Sequence, residues 1–333
     1  MTRFQVRRKL KKACSGAPLT RFHLRKKLSI ATVVFCSTTG AVFLGLGVSS
    51  AQAFTISNGS LTVDIRNDNG AINSLLFGGS EFYREGTYVS DFGFQAGTGT
   101  STFVLNSAYG GGQSVSVTNS SGLVGVTGTY TGGGSNINFR RTYSIVPGLN
   151  VLRVATDFIN NGADTTLSYF DTFDPDQGID KGRDFETSND VSTLATGAGT
   201  AKVGQASESG GLTVVMGSLD PNVTVGSGDP FQIADGSALN NFFSSPVDGN
   251  GTFADQGTHV GLRTLLAAGS SRTFVYDQAF GETAAAARAQ FVSANGSEPV
   301  PEPLTILGSL AAGGIGAALR RKYKQQQKDT AKV

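Results

Sequence analysis

The chain is poor in the residues that most metal and redox chemistry relies on. Of 333 residues only two are cysteine, and both, Cys14 and Cys36, stand near the N-terminus. The rest of the chain therefore has no disulfide, no cysteine-based zinc site and no cysteine nucleophile. There are two histidines, His23 and His259, so beyond the N-terminal region His259 stands alone. A single histidine excludes an all-histidine metal site and any mechanism that needs two. Tryptophan is absent, which removes the largest sugar-stacking ring, although 22 phenylalanines remain.

Acidic charge is missing from both ends. Residues 1–27 carry ten Lys/Arg and no acid, and residues 301–333 carry six Lys/Arg against Glu302 and Asp329. The near-neutral total of +2 hides a body, residues 54–300, with a net charge of −12. A negative body argues against nucleic-acid binding, which needs a basic surface to neutralise phosphate. Basic ends are instead what a membrane handles.

The first end has the composition of an export signal. A basic run that includes Arg7, Arg8, Lys9, Arg25, Lys26 and Lys27 precedes an apolar stretch from Leu28 to Val48. Small residues follow, and Ala51 and Ala53 form the A-x-A pattern that a signal peptidase accepts. The pattern predicts a signal peptide over 1–53, with cleavage after Ala53.

The other end has three blocks. Pro301-Glu302-Pro303 is followed by the uncharged Leu304–Leu319 and then by Arg320, Arg321 and Lys322. Sixteen helical residues span about 24 Å, short of the ~30 Å hydrocarbon core. The prolines hold Glu302 extended, outside any helix. The tripeptide, the short apolar segment and the basic cluster together resemble the PEP-CTERM sorting domain. That resemblance implies a segment 298–333 with a single transmembrane sorting helix. It also implies recognition by an exosortase, removal of the tail near the tripeptide, and delivery to the cell surface or extracellular matrix.

Between the ends the pattern is that of strands. Leu61, Val63 and Ile65 alternate with Thr62, Asp64 and Arg66, the period of a half-buried strand. Asn58-Gly59 and Asp68-Asn69-Gly70 flank it with turn chemistry. Ile137, Phe139, Arg141, Tyr143 and Ile145 share one face of a longer strand, which Pro147-Gly148 turns into Leu149–Phe158. Further strands are expected at 71–77, 123–130, 165–173, 212–219, 259–266 and 271–277. Only Thr283–Phe291 reads as helix. The expectation is an all-β domain over 54–297, a large antiparallel β-sandwich.

Phe54–Tyr83 is similar to the opening strands of galactose mutarotase-like supersandwich domains, and Arg141–Ser168 to their central long pair. The family's epimerases pair a histidine acid and a second histidine with a glutamate base. With His259 alone, none of these roles transfers to this sequence, and the resemblance implies the fold without the epimerase activity.

The segment Tyr169–Asp190 concentrates carboxylates: Asp171, Asp174, Asp176, Asp180 and Asp184 lie within fourteen positions. Asp174, Asp176, Asp180 and Asp184 form a candidate Ca²⁺ site, because hard cations gather closely spaced oxygens. The other reading is a solvated acidic loop offset by Lys181 and Arg183. Glu81, Glu85, Glu186 and Glu208 are candidate glycosidase carboxylates, which would have to flank one bond at roughly 5–9.5 Å. As a strand residue, His259 is expected to be an ordinary hydrogen-bond partner. Phe82, Tyr83, Tyr88, Phe92 and Phe94 are either a sugar-lining groove or core. Three functions remain: an exported surface protein that binds exopolysaccharide; a carbohydrate-active enzyme, mutarotase-like or glycan-cleaving, on the same scaffold; or an exported surface protein whose body only spaces the tail from the membrane.

Overall fold

The computed structural model describes residues 53–83, 90–97, 103–105, 115–120, 122–132, 135–229 and 239–296. The chain divides into units Met1–Val48 and Ser49–Val333, and every described residue lies in the second. The signal segment up to Gln52, the tripeptide Pro301–Pro303 and the cluster Arg320–Lys322 lie outside the described residues. Among those described, no helix is long and apolar enough to cross a membrane.

The expected all-β sandwich is present, built from three antiparallel sheets. The first sheet has the order β1 (Ala53–Ser57), β2 (Leu61–Arg66), β3 (Ile72–Phe77), β4 (Ser80–Tyr83). The second has five strands in the order β15 (Val223–Gly228), β17 (Gly257–Leu266), β11 (Thr165–Phe173), β5 (Ser90–Ala96), β6 (Phe103–Leu105). The third has nine. From one edge it runs β16 (Thr252–Ala254), β12 (Thr187–Thr196), β13 (Gly199–Ser207), β14 (Thr213–Ser218), β18 (Ser271–Gly281). It continues through β10 (Val151–Asn160), β9 (Ser135–Ile145) and β8 (Leu123–Gly132) to β7 (Val115–Ser120).

Register decides which side chains face the core, because opposed residues share a face. In the five-stranded sheet Phe94, Tyr169, Leu262 and Val223 form one row, and Phe92, Asp171, Val260 and Val225 the next. In the nine-stranded sheet the matching rows are Tyr143, Val154 and Tyr276, then Arg141, Thr156 and Phe274. Aromatic edges knit the two faces together: Phe94 meets Phe139 at 5.5 Å and Phe158 at 5.8 Å, and Tyr169 meets Phe274 at 5.7 Å. Such pairs contribute about 0.5–1.5 kcal/mol each beyond area burial. The four-stranded sheet packs against the same core, with Phe82 edge-on to Phe280 and Tyr143 donating to the Gly70 carbonyl at 2.7 Å. Phe82, Tyr83, Phe92 and Phe94 are at most 1 % exposed, so they are core residues and line no sugar groove.

Two α-helices are described. α1 (Leu239–Ser244) lies against the five-stranded sheet through Phe242. α2 (Ala284–Ala294) starts at Thr283, whose side chain accepts from the Ala286 N–H and so caps the first turn. Its Ala287 and Phe291 cover a second, smaller apolar cluster with Val151, Val203, Val215 and Ala279.

Candidate functional site

The outer face of the five-stranded sheet is the reverse of its apolar inner face. Reading across the ladder, Gln95, Ser168 and Arg263 stand in one row. Gly93, Phe170, Gly261 and Thr224 make the next, then Thr172, His259 and Gly226, and last Gly257 opposite Gly228. Apart from Phe170, polar side chains and glycines therefore fill a surface that burial would ordinarily give to valine or leucine. Ser168, Thr172 and His259 are all at most 2 % exposed.

The cover is α1 and the chain around it. A Cβ on Gly261 would meet Phe242 Cε1 at 2.8 Å and Phe243 Cζ at 2.9 Å, so only glycine lets the helix lie this close. Phe242 stands edge-on to the His259 ring at 6.0 Å. Arg263 donates to Ser168 Oγ at 2.9 Å and to Asn240 Oδ1 at 2.8 Å, with its guanidinium 4.4 Å from the Phe243 ring centre. Burial lowers the Arg263 pKa.

His259 departs from the expectation of an ordinary hydrogen-bond partner. It is 1 % exposed, and neither ring nitrogen finds a hydrogen-bond partner among the described residues. Burial drives its pKa from 6.5 to about 3; the neighbouring Gly228 backbone pulls the other way without reaching hydrogen-bond geometry. The ring is neutral at physiological pH and has little basicity to offer as a proton acceptor.

At the end of this face, three carboxylates converge. Oxygens of Asp174, Asp176 and Asp255 lie within 4.8 Å of one another; Asp174 and Asp176 are buried and Asp255 is exposed. Asp174 follows β11 directly, and Asp255 stands between β16 and β17. Burial raises the Asp174 pKa well above the usual carboxylate range, and the negative charges of Asp176, Asp255 and Asp229 raise it further. The cluster can hold a shared proton or a hard cation, since both relieve the same repulsion. Its donor set, oxygen only, suits Ca²⁺ or Mg²⁺ and not a thiolate- or imidazole-seeking metal.

The other members of the expected calcium loop are engaged elsewhere. Asp180 Oδ1 accepts from the Glu81 N–H at 3.1 Å, and Asp184 Oδ1 accepts from the Phe185 N–H at 2.9 Å. Around them the segment is laced to β4: the Asp176 and Gly178 N–H groups donate to the Phe82 and Glu81 carbonyls, and Lys181 donates to Ser80 Oγ. Arg183 pairs with Glu208 at 2.6 Å. Glu208, 4 % exposed, also accepts from the Gly210 and Leu212 N–H groups, so it closes a turn. Glu186 is exposed, and Glu85 and Tyr88 lie outside the described residues.

Asp171 has a different setting altogether. It points into the core and pairs with Arg141 of the nine-stranded sheet at 2.6 and 2.9 Å.

Comparison with known proteins follows the same lines. No family model matches the chain, and no curated protein matches its sequence. Solved structures do match. A galactose mutarotase-like protein from Lactobacillus casei aligns over 69% of this chain and 100% of its own, at 11% identity and a TM-score of 0.43. A galactose mutarotase related enzyme from Lactobacillus acidophilus covers 70% of this chain and 99% of its own, at 10% identity and a TM-score of 0.38. A bacterial glucoamylase complexed with acarbose is 13% identical over 72% of this chain, which spans 33% of that longer protein, with a TM-score of 0.48. The first two belong to the family that Phe54–Tyr83 and Arg141–Ser168 resemble.

Proposed function

We propose that the chain is an exported protein, trimmed at both ends and delivered to the cell surface or extracellular matrix, where its β-sandwich binds exopolysaccharide without cleaving it. The segregated charge, the A-x-A exit at Ala51 and Ala53 and the Pro301–Pro303 motif support export and sorting by signal peptidase and exosortase. The observation that favours binding over catalysis is His259. The body's only imidazole is shut under Phe242 and held near pKa 3, so it supplies neither acid nor base.

Asp174, Asp176 and Asp255 are the residues that would hold Ca²⁺. Such an ion would tie the end of β11 to the start of β17 and neutralise a buried repulsion. One observation favours the enzymatic reading instead: burial and neighbouring carboxylates raise the pKa of Asp174, as they do for the acid member of a glycan-hydrolysing pair. The two readings separate in one experiment. The purified protein is run through gels containing a soluble exopolysaccharide, and the polymer is assayed for new reducing ends. Retardation with an unchanged polymer supports binding. New reducing ends that vanish in Asp174→Asn would replace it with the enzyme.

A further inference from the structure

The outer face of the nine-stranded sheet is covered by α2 only in part. Beyond the last turn of the helix lies a cleft of about 450 Å³, within the ~300–1,000 Å³ range of small-molecule sites. Its floor is β18 and the end of β14. Arg153, Asp277 and Gly217 stand in one row there, and Val275 in the next. A Cβ on Gly217 would come within 2.3 Å of the Lys202 carbonyl oxygen, so this part of the floor has no side chain. One wall is the end of α2, from Ala294 to Gly296. The other is the turn at Ala198 with the bend at Leu219 and Asp220. The walls are joined where the Ala198 N–H donates to the Asn295 carbonyl at 3.2 Å.

The floor is rigid and its charge is balanced. Arg153 makes two bonds of 2.8 Å to Asp277 and a third, of 3.0 Å, to the Ala294 carbonyl, while Asn295 Nδ2 reaches Asp277 at 2.9 Å. That hydrogen bonding keeps Arg153 firmly protonated against its own burial. Asp220 is matched by Arg272. With each carboxylate neutralised by its own guanidinium, the cleft offers no net charge to an ionic ligand. It presents polar groups held in place by one another, Arg153, Asp277 and Asn295, beside an apolar surface, Val275 (38 % exposed) with Leu219. This pairing of hydrogen-bonding groups with a small apolar platform matches the two faces of a pyranose ring.

We infer that this cleft binds a neutral pyranose unit of a glycan, at a place separate from the polar face of the five-stranded sheet. The inference rests on the glycan-binding reading and gives it a site and a sugar class. Substitutions at two exposed residues, Val275→Trp on the floor and Ala198→Trp on one wall, fill the cleft and leave the ion-paired residues themselves unchanged.

The test titrates the full chain with methyl β-glucoside and methyl β-galactoside by ligand-observed NMR. Glucuronate and glucosamine serve as charged counterparts, and exopolysaccharide gel retardation is run in parallel. The expected result is millimolar binding of a methyl glycoside, weakened at least tenfold in both variants at an unchanged Tm, with the charged sugars weaker. Binding that persists in both variants, or that favours a charged sugar, overturns the cleft assignment. Retardation by the polymer without any methyl glycoside binding also overturns it and leaves the glycan-binding reading standing. Absence of both kinds of binding ends both. If one variant melts without cooperativity, the other carries the test, since one lies on the floor and the other on a wall.

Discussion

Arg141 of β9 and Asp171 of β11 belong to different sheets and meet in the middle of the sandwich, with nitrogen and oxygen 2.6 Å apart and both residues at most 2 % exposed. Tyr169 and Tyr276 complete the shell, each with its hydroxyl on the guanidinium. The Arg141 guanidinium also lies 4.4 Å from the centre of the Phe92 ring and 4.6 Å from that of Tyr143. Burial alone would lower the arginine's pKa, but Asp171 holds it well above its ordinary value; burial raises the pKa of Asp171, and Arg141 with the Tyr169 and Tyr276 hydroxyls pulls it back down.

Breaking this pair leaves a buried charge. Arg141→Ala is expected to cost about 3–5 kcal/mol in urea unfolding, whereas the double substitution Arg141→Met/Asp171→Leu recovers most of the loss. A cost for Arg141→Ala below about 1 kcal/mol, the range of exposed pairs, would contradict a sheet-to-sheet lock.

Gly261→Ala tests the closeness of α1 to the sheet. The added methyl meets Phe242, Phe243 and the Tyr169 carbonyl within 2.9 Å. Overpacking of this kind costs about 1–3 kcal/mol. Faster amide exchange in α1, with the four-stranded sheet unaffected, is the expected signature.

Two groups give opposite pH dependences. The folded-state pKa of His259, about 3, lies below its ordinary 6.5, so its contribution is present above pH 6.5 and is lost as pH falls towards 3. The folded-state pKa of Asp174 is raised above 3.8, so its contribution is full below 3.8 and is lost as pH rises through the raised value. Measured in EDTA, His259→Phe should flatten the acid side of the stability curve relative to the parent. Asp174→Asn should flatten the side towards neutral pH. Variant and parent curves of identical shape would contradict both assignments.

The calcium proposal concerns the same cluster. An ion held by Asp174, Asp176 and Asp255 would stabilise the native state by about 2.7 kcal/mol at a hundredfold excess over Kd. Ca²⁺ should therefore raise the Tm of the parent, EDTA should return it, and Asp174→Asn should abolish the response. The same Tm under all conditions removes the cation from the account.

Much of this fold is legible from alternation. β2, β9 and β10 announce themselves because their apolar residues fall on every second position, and α2 because an alanine run follows a threonine cap. β12 and β13 do not. Their sequences, TSNDVSTLAT and GTAKVGQAS, are mostly small or polar, and β12 begins inside what reads as an acidic loop. α1, with its Asn-Asn-Phe-Phe core, has little helical propensity and forms where Gly226 and Gly261 make room for Phe242.

The carboxylates show the limit most plainly. Spacing groups Asp174 and Asp176 with Asp180 and Asp184, but the third member of the cluster is Asp255, some eighty residues on. Only strand pairing brings it there. Asp171 belongs by spacing to the same loop, yet the alternation of β11 turns it inward to Arg141. Local sequence carries the strand period; it does not carry which strand lies next to which.

The central claim, export with removal of both ends, is tested most directly by the intact mass and terminal sequence of the protein recovered from the producing cells. The account predicts a surface or matrix species that begins at Phe54 and ends close to Pro301–Pro303, and a Pro301→Ala/Pro303→Ala variant that keeps its tail. A full-length chain of 333 residues, soluble inside the cell and unchanged by that substitution, would contradict it.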